Sequence, residues 1–238
     1  MIYQKIHELC RVKNLGHFYH NRSDEPTPRV QWILKQVESL GIAAELDRWS
    51  HKDTTGWNLY MLGSSDKWFV AHHDIVNPDS ENAQDNTASI INLIALKLLA
   101  PHVNIAILDG EEVGGLGAHR LVDKIEEQGW PVSWILNLEL TGRGGTEFFI
   151  GKINSDSKLR ELIMDRYQQC EEHRVPFNDS WILRSRGLDS VVINPLPRVD
   201  GKLDMRELYI CHSSEDTADR VSIKEMQQFV EEILLPLT

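Results

Sequence analysis

Seven acidic or imidazole side chains stand where they could hold metal and move protons. His72 and Asp74 follow the apolar run KWFVA, Glu111 and Glu112 follow VNIAILD, Glu139 follows SWILNL, and His212 follows LYIC. Each run has the length and apolar content of a strand. In open α/β sheets ligands bind beyond the carboxyl ends of the strands, so strands of one sheet would bring these four segments to one edge. Taken singly, a histidine or glutamate just past a strand is an ordinary solvated loop residue. Converging, two imidazoles and several carboxylates would repel one another and be poorly solvated without a cation. Zinc accepts that mixture at about 2.0–2.2 Å, and a metal centre is the economical reading. The seventh residue, Asp85 in ENAQDNTASIINL, has two roles open to it. It opens an apolar helix, where Asp commonly caps amide groups, and a carboxylate fixed there is also placed to bridge two cations.

The elements that must position these residues alternate. KWFVA, a helix over 86–99, VNIAILD, a helix over about 115–127 and SWILNL predict an α/β sheet. Before them come a helix near the start, the turn-rich NRSDEPTP, and a second helix from Pro28, capped by Thr27 and ended by Gly41. AAELDRW and GWNLYML read as a neighbouring antiparallel pair. After them EFFIG reads as a strand, SKLRELIMDRYQQC as a helix, and SVVIN and LYIC as further strands. The final helix opens on a capping box, Ser222-Ile223-Lys224-Glu225. Residues 171–186 carry Pro176, Asn178 and Asp179 without a clean period and read as a long surface loop, a frequent home of function. Nothing marks a second domain, so 1–238 is read as one, a size that buries an ample core.

The bulk properties narrow the partners. A hydrophobic fraction of 41% and a charged fraction of 26% are those of a soluble globular chain. The net charge of −11, without a concentrated Lys/Arg block, argues against nucleic acid and anionic membranes. Cys10, Cys170 and Cys211 form no CxxC pair, which suggests neither a disulfide framework nor a thiolate zinc knuckle and fits a reducing, cytoplasmic setting. MIYQKIHELCRVKN interrupts its apolar residues with charge, unlike a signal peptide, and no stretch reaches membrane-spanning length. The sequon Asn21-Arg22-Ser23 then reads as a chance match.

Other signals carry less. His73 should face opposite to His72 if the strand continues, as packing or surface. Gly114, Gly115 and Gly117 fit neither a dinucleotide nor a Walker signature, and tight turning with close helix approach accounts for them. There is no HExxH. Cys211, at an expected strand end, should face away from the metal side as a small buried residue.

The segments AHHDIV, AQDNTAS, DGEEVGGLGAHR, NLELTG and CHSSEDTADRVS resemble, in order and context, the metal-site segments of the co-catalytic zinc aminopeptidase and glutamate carboxypeptidase family, which also includes glutaminyl cyclases. The likeness runs from about Trp57 to Ser222. It implies a zinc exopeptidase fold of the phosphorylase/hydrolase-like kind, a three-layer sandwich with a mixed central sheet and helices on both faces. It implies one zinc on His72, Asp85 and Glu139 and a second on Asp85, Glu112 and His212, with Asp85 as the bridge and often a cis peptide after it. Asp74 would hydrogen-bond the His72 ring. Glu111 would be the general base on a metal-bridging water, in hydrolysis of a peptide or small amide of the aminopeptidase type. The Ser-Asp-His segment that family members often place beside substrate would fall at Asp179, Ser180 and Trp181, and here Ser180 replaces the histidine.

Two other functions compete with this one. A glutaminyl cyclase would use similar segments around a single zinc, and Glu139 turned away from the site would favour it. A catalytically silent binding module keeps the fold but usually loses ligands. Related deacylases and carboxypeptidases normally carry an inserted dimerisation domain, for which this chain has no room. The substrate side chain and oligomeric state have no sequence signal.

Overall fold

A computed structural model of the chain describes residues 2–12, 25–77, 79–153 and 156–238. The sequon at Asn21 and the start of the turn-rich stretch lie outside them.

The first half holds α1 (Ile6–Arg11), α2 (Pro28–Ser39), β1 (Glu45–His51), β2 (Thr54–Met61), β3 (Lys67–His72), α3 (Ala88–Leu99), β4 (Asn104–Leu108) and α4 (Leu116–Gln128). The second holds β5 (Trp134–Leu138), β6 (Phe148–Gly151), α5 (Lys158–Arg166), β7 (Glu171–His173), α6 (Asp179–Ser185), β8 (Ser190–Pro195), α7 (Glu207–Ile210) and α8 (Ile223–Gln228). The eight strands form one mixed sheet in the order β1-β2-β4-β3-β5-β8-β6-β7. Its centre, β4-β3-β5-β8, is parallel, while β1-β2, β2-β4 and β6-β8 are antiparallel. The central strands are buried along nearly their whole length, as expected of strands covered on both faces.

Strand alternation divides the core in two. Phe69, Ile105 and Leu136 face a large cluster with apolar residues of α1, α2, α3, α5 and α8. Trp68, Val70, Ala106 and Ile135 face the other way, onto α4 and α6. This is the three-layer arrangement that the resemblance implies. The chain leaves β3 through α3 to reach β4 on one side and returns through α4 to β5 on the other. The crevice beyond the carboxyl end of β3 is therefore a topological switch point, the usual ligand site of such sheets. Among the described residues, no helix is long and apolar enough to cross a membrane.

Several caps follow the sequence. The Thr27 side chain accepts from Val30 N, and Ser222 from Glu225 N. The second half of the expected capping box is absent, since Glu225 Oε2 accepts from Gly144 N instead and Ser222 N donates to Gly142 O. Gly114 and Gly115 take left-handed backbone (φ 101° and 70°). At Gly117 a Cβ would lie 2.3 Å from Asp109 O, so close approach of α4 to β4 requires glycine there.

Three expectations need correction. LYIC is no strand: residues 207–210 form the one-turn α7. An aspartate turn starts it, with Asp204 Oδ1 accepting from Arg206 N. Glu207 is buried and Tyr209 is 83% exposed, so no sheet neighbour draws the segment out. Residues 171–186 are likewise no loop throughout, for β7 pairs with β6 and Asn178 caps α6 by accepting from Ser180 N. The Asn and Asp taken as loop residues are a helix start. The regular helix after Asp85 begins only at Ala88, because Asp85 and Asn86 have non-helical backbone.

Candidate metal centre

His72 is the last residue of β3 and 1% exposed. Its Nδ1 lies 3.2 Å from the backbone oxygen of Asp74, an atom that only accepts, so Nδ1 carries the proton. Its Nε2 then points into the crevice, 3.1 Å from Asp85 Oδ1 and 3.4 Å from Glu139 Oε2. His212 reaches the same crevice from beyond α7, with Nε2 2.9 Å from Asp85 Oδ2 and 3.1 Å from Glu112 Oε1. Asp85 thus presents one oxygen to each imidazole. Its peptide to Asn86 is cis, as the resemblance implies. All five expected ligand residues are brought together.

The supporting contacts are specific. Glu139 is turned inward, accepting from Asn86 Nδ2 at 2.6 Å and from Asn137 Nδ2 at 3.1 Å. The turn holding Glu111 and Glu112 is fixed by Asp74, whose carboxylate oxygens accept from the two backbone amides at 3.1 and 3.0 Å. This sharpens the role expected of Asp74. Its backbone oxygen takes the closer contact with the His72 ring, the carboxylate standing 3.4 Å away, and its carboxylate mainly organises the base and a ligand. His73 faces the other way, buried, with Nε2 2.9 Å from Trp57 O.

Cys211 departs from expectation. It lines the crevice with His212 and Glu112, and its Sγ lies within 4.8 Å of ligand atoms of both Asp85 and His212. The reason is local: no strand forms here, and the left-handed backbone of His212 (φ 66°) lets two consecutive side chains face one side, which a strand would send to opposite faces.

Electrostatics test whether these residues fit a cation. Among the described residues that line the cleft, Asp85, Glu111, Glu112 and Glu139 face two imidazoles, His72 and His212, and the buried Arg29 acts on Asp85 from behind. Burial, with the charges of Glu139, Asp179 and Glu112, pushes the Glu111 carboxyl well above the ordinary range. Burial likewise raises Glu112 and Glu139. Burial opposes ionisation of Asp85 too, but hydrogen bonds from His212 and His72 hold it low. His212 is pushed up to about 10 by hydrogen bonds to Asp85 and Glu112. In the metal-free chain protons on the imidazoles do the neutralising that a cation would do. The donor set of imidazole nitrogens and carboxylate oxygens is one that zinc takes, and it fits.

Some functional residues escaped the sequence reading. Asn86 and Asn137 orient Glu139. Asp216 clamps the approach to Asp85 by accepting from Gln84 N at 2.7 Å and Asp85 N at 3.1 Å. Asp179, which the resemblance places beside substrate, is fully buried, and among the described residues neither of its carboxylate oxygens has a hydrogen-bond partner. The only available signal was position, since Asn86 adjoins Asp85 and Asp216 lies in the segment of His212. The cleft holds about 310 Å³ and is walled by Leu140, Val175, Phe177, Val192 and Leu208.

The family model for peptidase family M28 matches residues 61–236. No curated protein sequence matches the chain significantly. Among solved structures, the LapA aminopeptidase of Legionella pneumophila superposes with a TM-score of 0.73 at 13% identity, covering 96% of this chain and 66% of that one. A glutaminyl cyclase of Porphyromonas gingivalis gives 0.73 at 14% identity, over 98% of this chain and 95% of that one. A leucine aminopeptidase precursor of Bacteroides thetaiotaomicron gives 0.73 at 13% identity, over 98% and 94%. At such identities these likenesses show the shared fold. The chain spans about two thirds of LapA and nearly all of the other two.

Proposed function

The chain belongs to peptidase family M28, and from that premise we propose that it is a zinc-dependent hydrolase of the aminopeptidase type, cleaving a peptide or small amide bond. The observation that carries the reading is Asp85, which offers one carboxylate oxygen toward His72 and the other toward His212. Two cation positions follow, His72–Asp85–Glu139 and Asp85–Glu112–His212. Zinc bound there would polarise the scissile carbonyl and make water a nucleophile near neutral pH. Glu111 takes the proton from the attacking water and returns it to the leaving amine. Burial raises its carboxyl above the ordinary carboxylate range, the direction that favours a group which must take a proton and give it back. Asp74 fixes the backbone of Glu111 and Glu112, and the apolar wall of the cleft excludes water around the reacting bond.

The inward position of Glu139 supports the two-position hydrolase over the single-zinc cyclase. The retained donor set weighs against a silent module. A small peptide or amide is the proposed partner, the acidic surface disfavours nucleic acid, and the three free thiols fit a reducing cytoplasm.

Metal analysis with a panel of aminoacyl amides tests site and reaction together. In the hydrolase reading Glu111→Gln loses roughly 10²–10⁴-fold in kcat, the usual weight of general acid–base catalysis, and keeps its metal content. Full activity in that variant sinks the assignment. Conversion of an N-terminal glutamine peptide to pyroglutamate, with one zinc per chain and no amide hydrolysis, would replace it by the cyclase.

A further inference from the structure

Cys211 sits in the cleft with no part in the hydrolysis just described. Its Sγ, an Asp85 carboxylate oxygen and a His212 ring nitrogen all lie within 4.8 Å of one another. Glu112 Oε1 stands 3.1 Å from His212 Nε2. Among the described residues the thiol donates to the Leu208 carbonyl, at 3.0 Å, a contact that rotation of the side chain would release. We propose that Cys211 is a sulfur donor to the cation position formed by Asp85, Glu112 and His212, an inference that rests on the metal-centre reading.

Those three residues supply an imidazole and two carboxylates, which leaves one vertex of a tetrahedral site open. A thiolate closes it. The metal–sulfur bond forms, the S–H bond breaks, its proton leaves to solvent, and the hydrogen bond to Leu208 is given up, with no oxidant or reductant consumed. A coordinating thiol is deprotonated outright by the ion it binds. Two consequences follow. The sulfur-bound form has no open vertex and is a resting state that substrate or water must displace. A sulfur donor also biases the position toward soft cations such as cadmium over hard ones such as magnesium.

The test is cobalt(II) titrated into the metal-free protein and into C211S. The expected wild-type spectrum carries near-ultraviolet thiolate-to-cobalt charge transfer together with the visible bands of bound cobalt. C211S loses the charge transfer and either keeps the visible bands or loses the cation altogether. Identical spectra from the two proteins with cobalt bound overturn the sulfur donor and leave the metal centre standing. A chain that takes up no cobalt overturns both. If C211S does not fold, thiol reactivity of the wild type decides: Cys10 and Cys170 are buried and Cys211 is partly open, so cobalt should protect one reactive thiol, and undiminished labelling rejects the proposal.

Discussion

The two halves of the centre are built differently although they share Asp85. The inner half is scaffold: His72 ends the central strand β3 and its ring donates to the Asp74 backbone oxygen, while Glu139 directly follows β5 and accepts from Asn86 and Asn137. The outer half is made of turns. Glu112 lies after β4 in a turn tied down through its backbone, and His212 follows the one-turn α7 with its side chain 51% exposed. The strand ends fix the inner donors before any ion arrives, as preorganised sites require. The outer histidine sits on the segment between Asp204 and Asp216, which is held by turns rather than by a strand ladder, so the entropy of fixing that segment is set against binding there.

The largest effects should come from breaking this asymmetry by ligand removal. Asp85→Ala is expected to lose both cations. His212→Ala should lose one and keep the tighter, and His72→Ala should lose the tighter and keep the weaker. Supporting partners of metal ligands are typically worth about 10–100-fold in affinity, so the two wild-type binding phases should be separated by roughly that factor. Isothermal titration of metal-free protein with zinc, read alongside bound-metal analysis, measures it. Equal phases, or a tight phase surviving in His72→Ala, would remove the distinction between the halves.

A second contrast is in pH. In the metal-free chain Asp85 and Glu112 raise His212 to about 10 from an ordinary 6.5. A histidine raised on folding contributes stability that is complete below the unfolded value and is lost as pH climbs through the folded one. The metal-free chain therefore loses that contribution above about pH 6.5, while zinc, which needs neutral imidazole, binds better over the same window. The gap in Tm between zinc-loaded and metal-free protein should widen from about pH 6 to about pH 9, the discount for exposure of His212 keeping the change modest. A gap that stays flat, or widens as strongly in His212→Ala, would show that the outer histidine does not set it.

The same division marks what was legible in the sequence. The inner half could be read because apolar strands announce themselves: KWFVA and SWILNL are β3 and β5 in the main, and His72 and Glu139 stand at their carboxyl ends, as Glu111 does beyond β4. In the outer half Glu112 was read the same way, and His212 was placed only because LYIC was taken for a strand that does not form, an error that also turned Cys211 away; the resemblance of CHSSEDTADRVS is the firmer signal there. An aromatic, β-branched tetrapeptide has strand propensity, but no neighbouring strand offers it a ladder, and tertiary context overrides propensity. The same limit hid Asn86 and Asp216, whose roles are contacts across 53 and 131 positions of chain. Asn178 and Asp179 were misread differently: the residue types that end a helix in a loop are also those that begin one.

Asp179 gives the smallest and most discriminating effect, because it belongs to neither half and yet feels both. It is fully buried, its carboxylate oxygens have no hydrogen-bond partner among the described residues, and burial, with the charges of Glu139, Asp74 and Glu112, pushes its carboxyl well above the ordinary range. Below the unfolded value near 3.8 the group is neutral in both states and costs nothing. As pH rises past that value the unfolded chain ionises freely while the folded chain must hold a proton or bury a charge, so stability falls. Asp179→Asn keeps the shape and removes the charge. Its metal-free Tm should exceed that of the wild type by a few degrees at neutral pH and match it below about pH 4. Zinc in the centre adds positive charge nearby, so the advantage should shrink in the loaded protein. Differential scanning calorimetry across pH, with and without zinc, checks both parts. An advantage that persists undiminished at acid pH would trace the effect to packing rather than to charge, and one unchanged by zinc would separate Asp179 electrically from the centre.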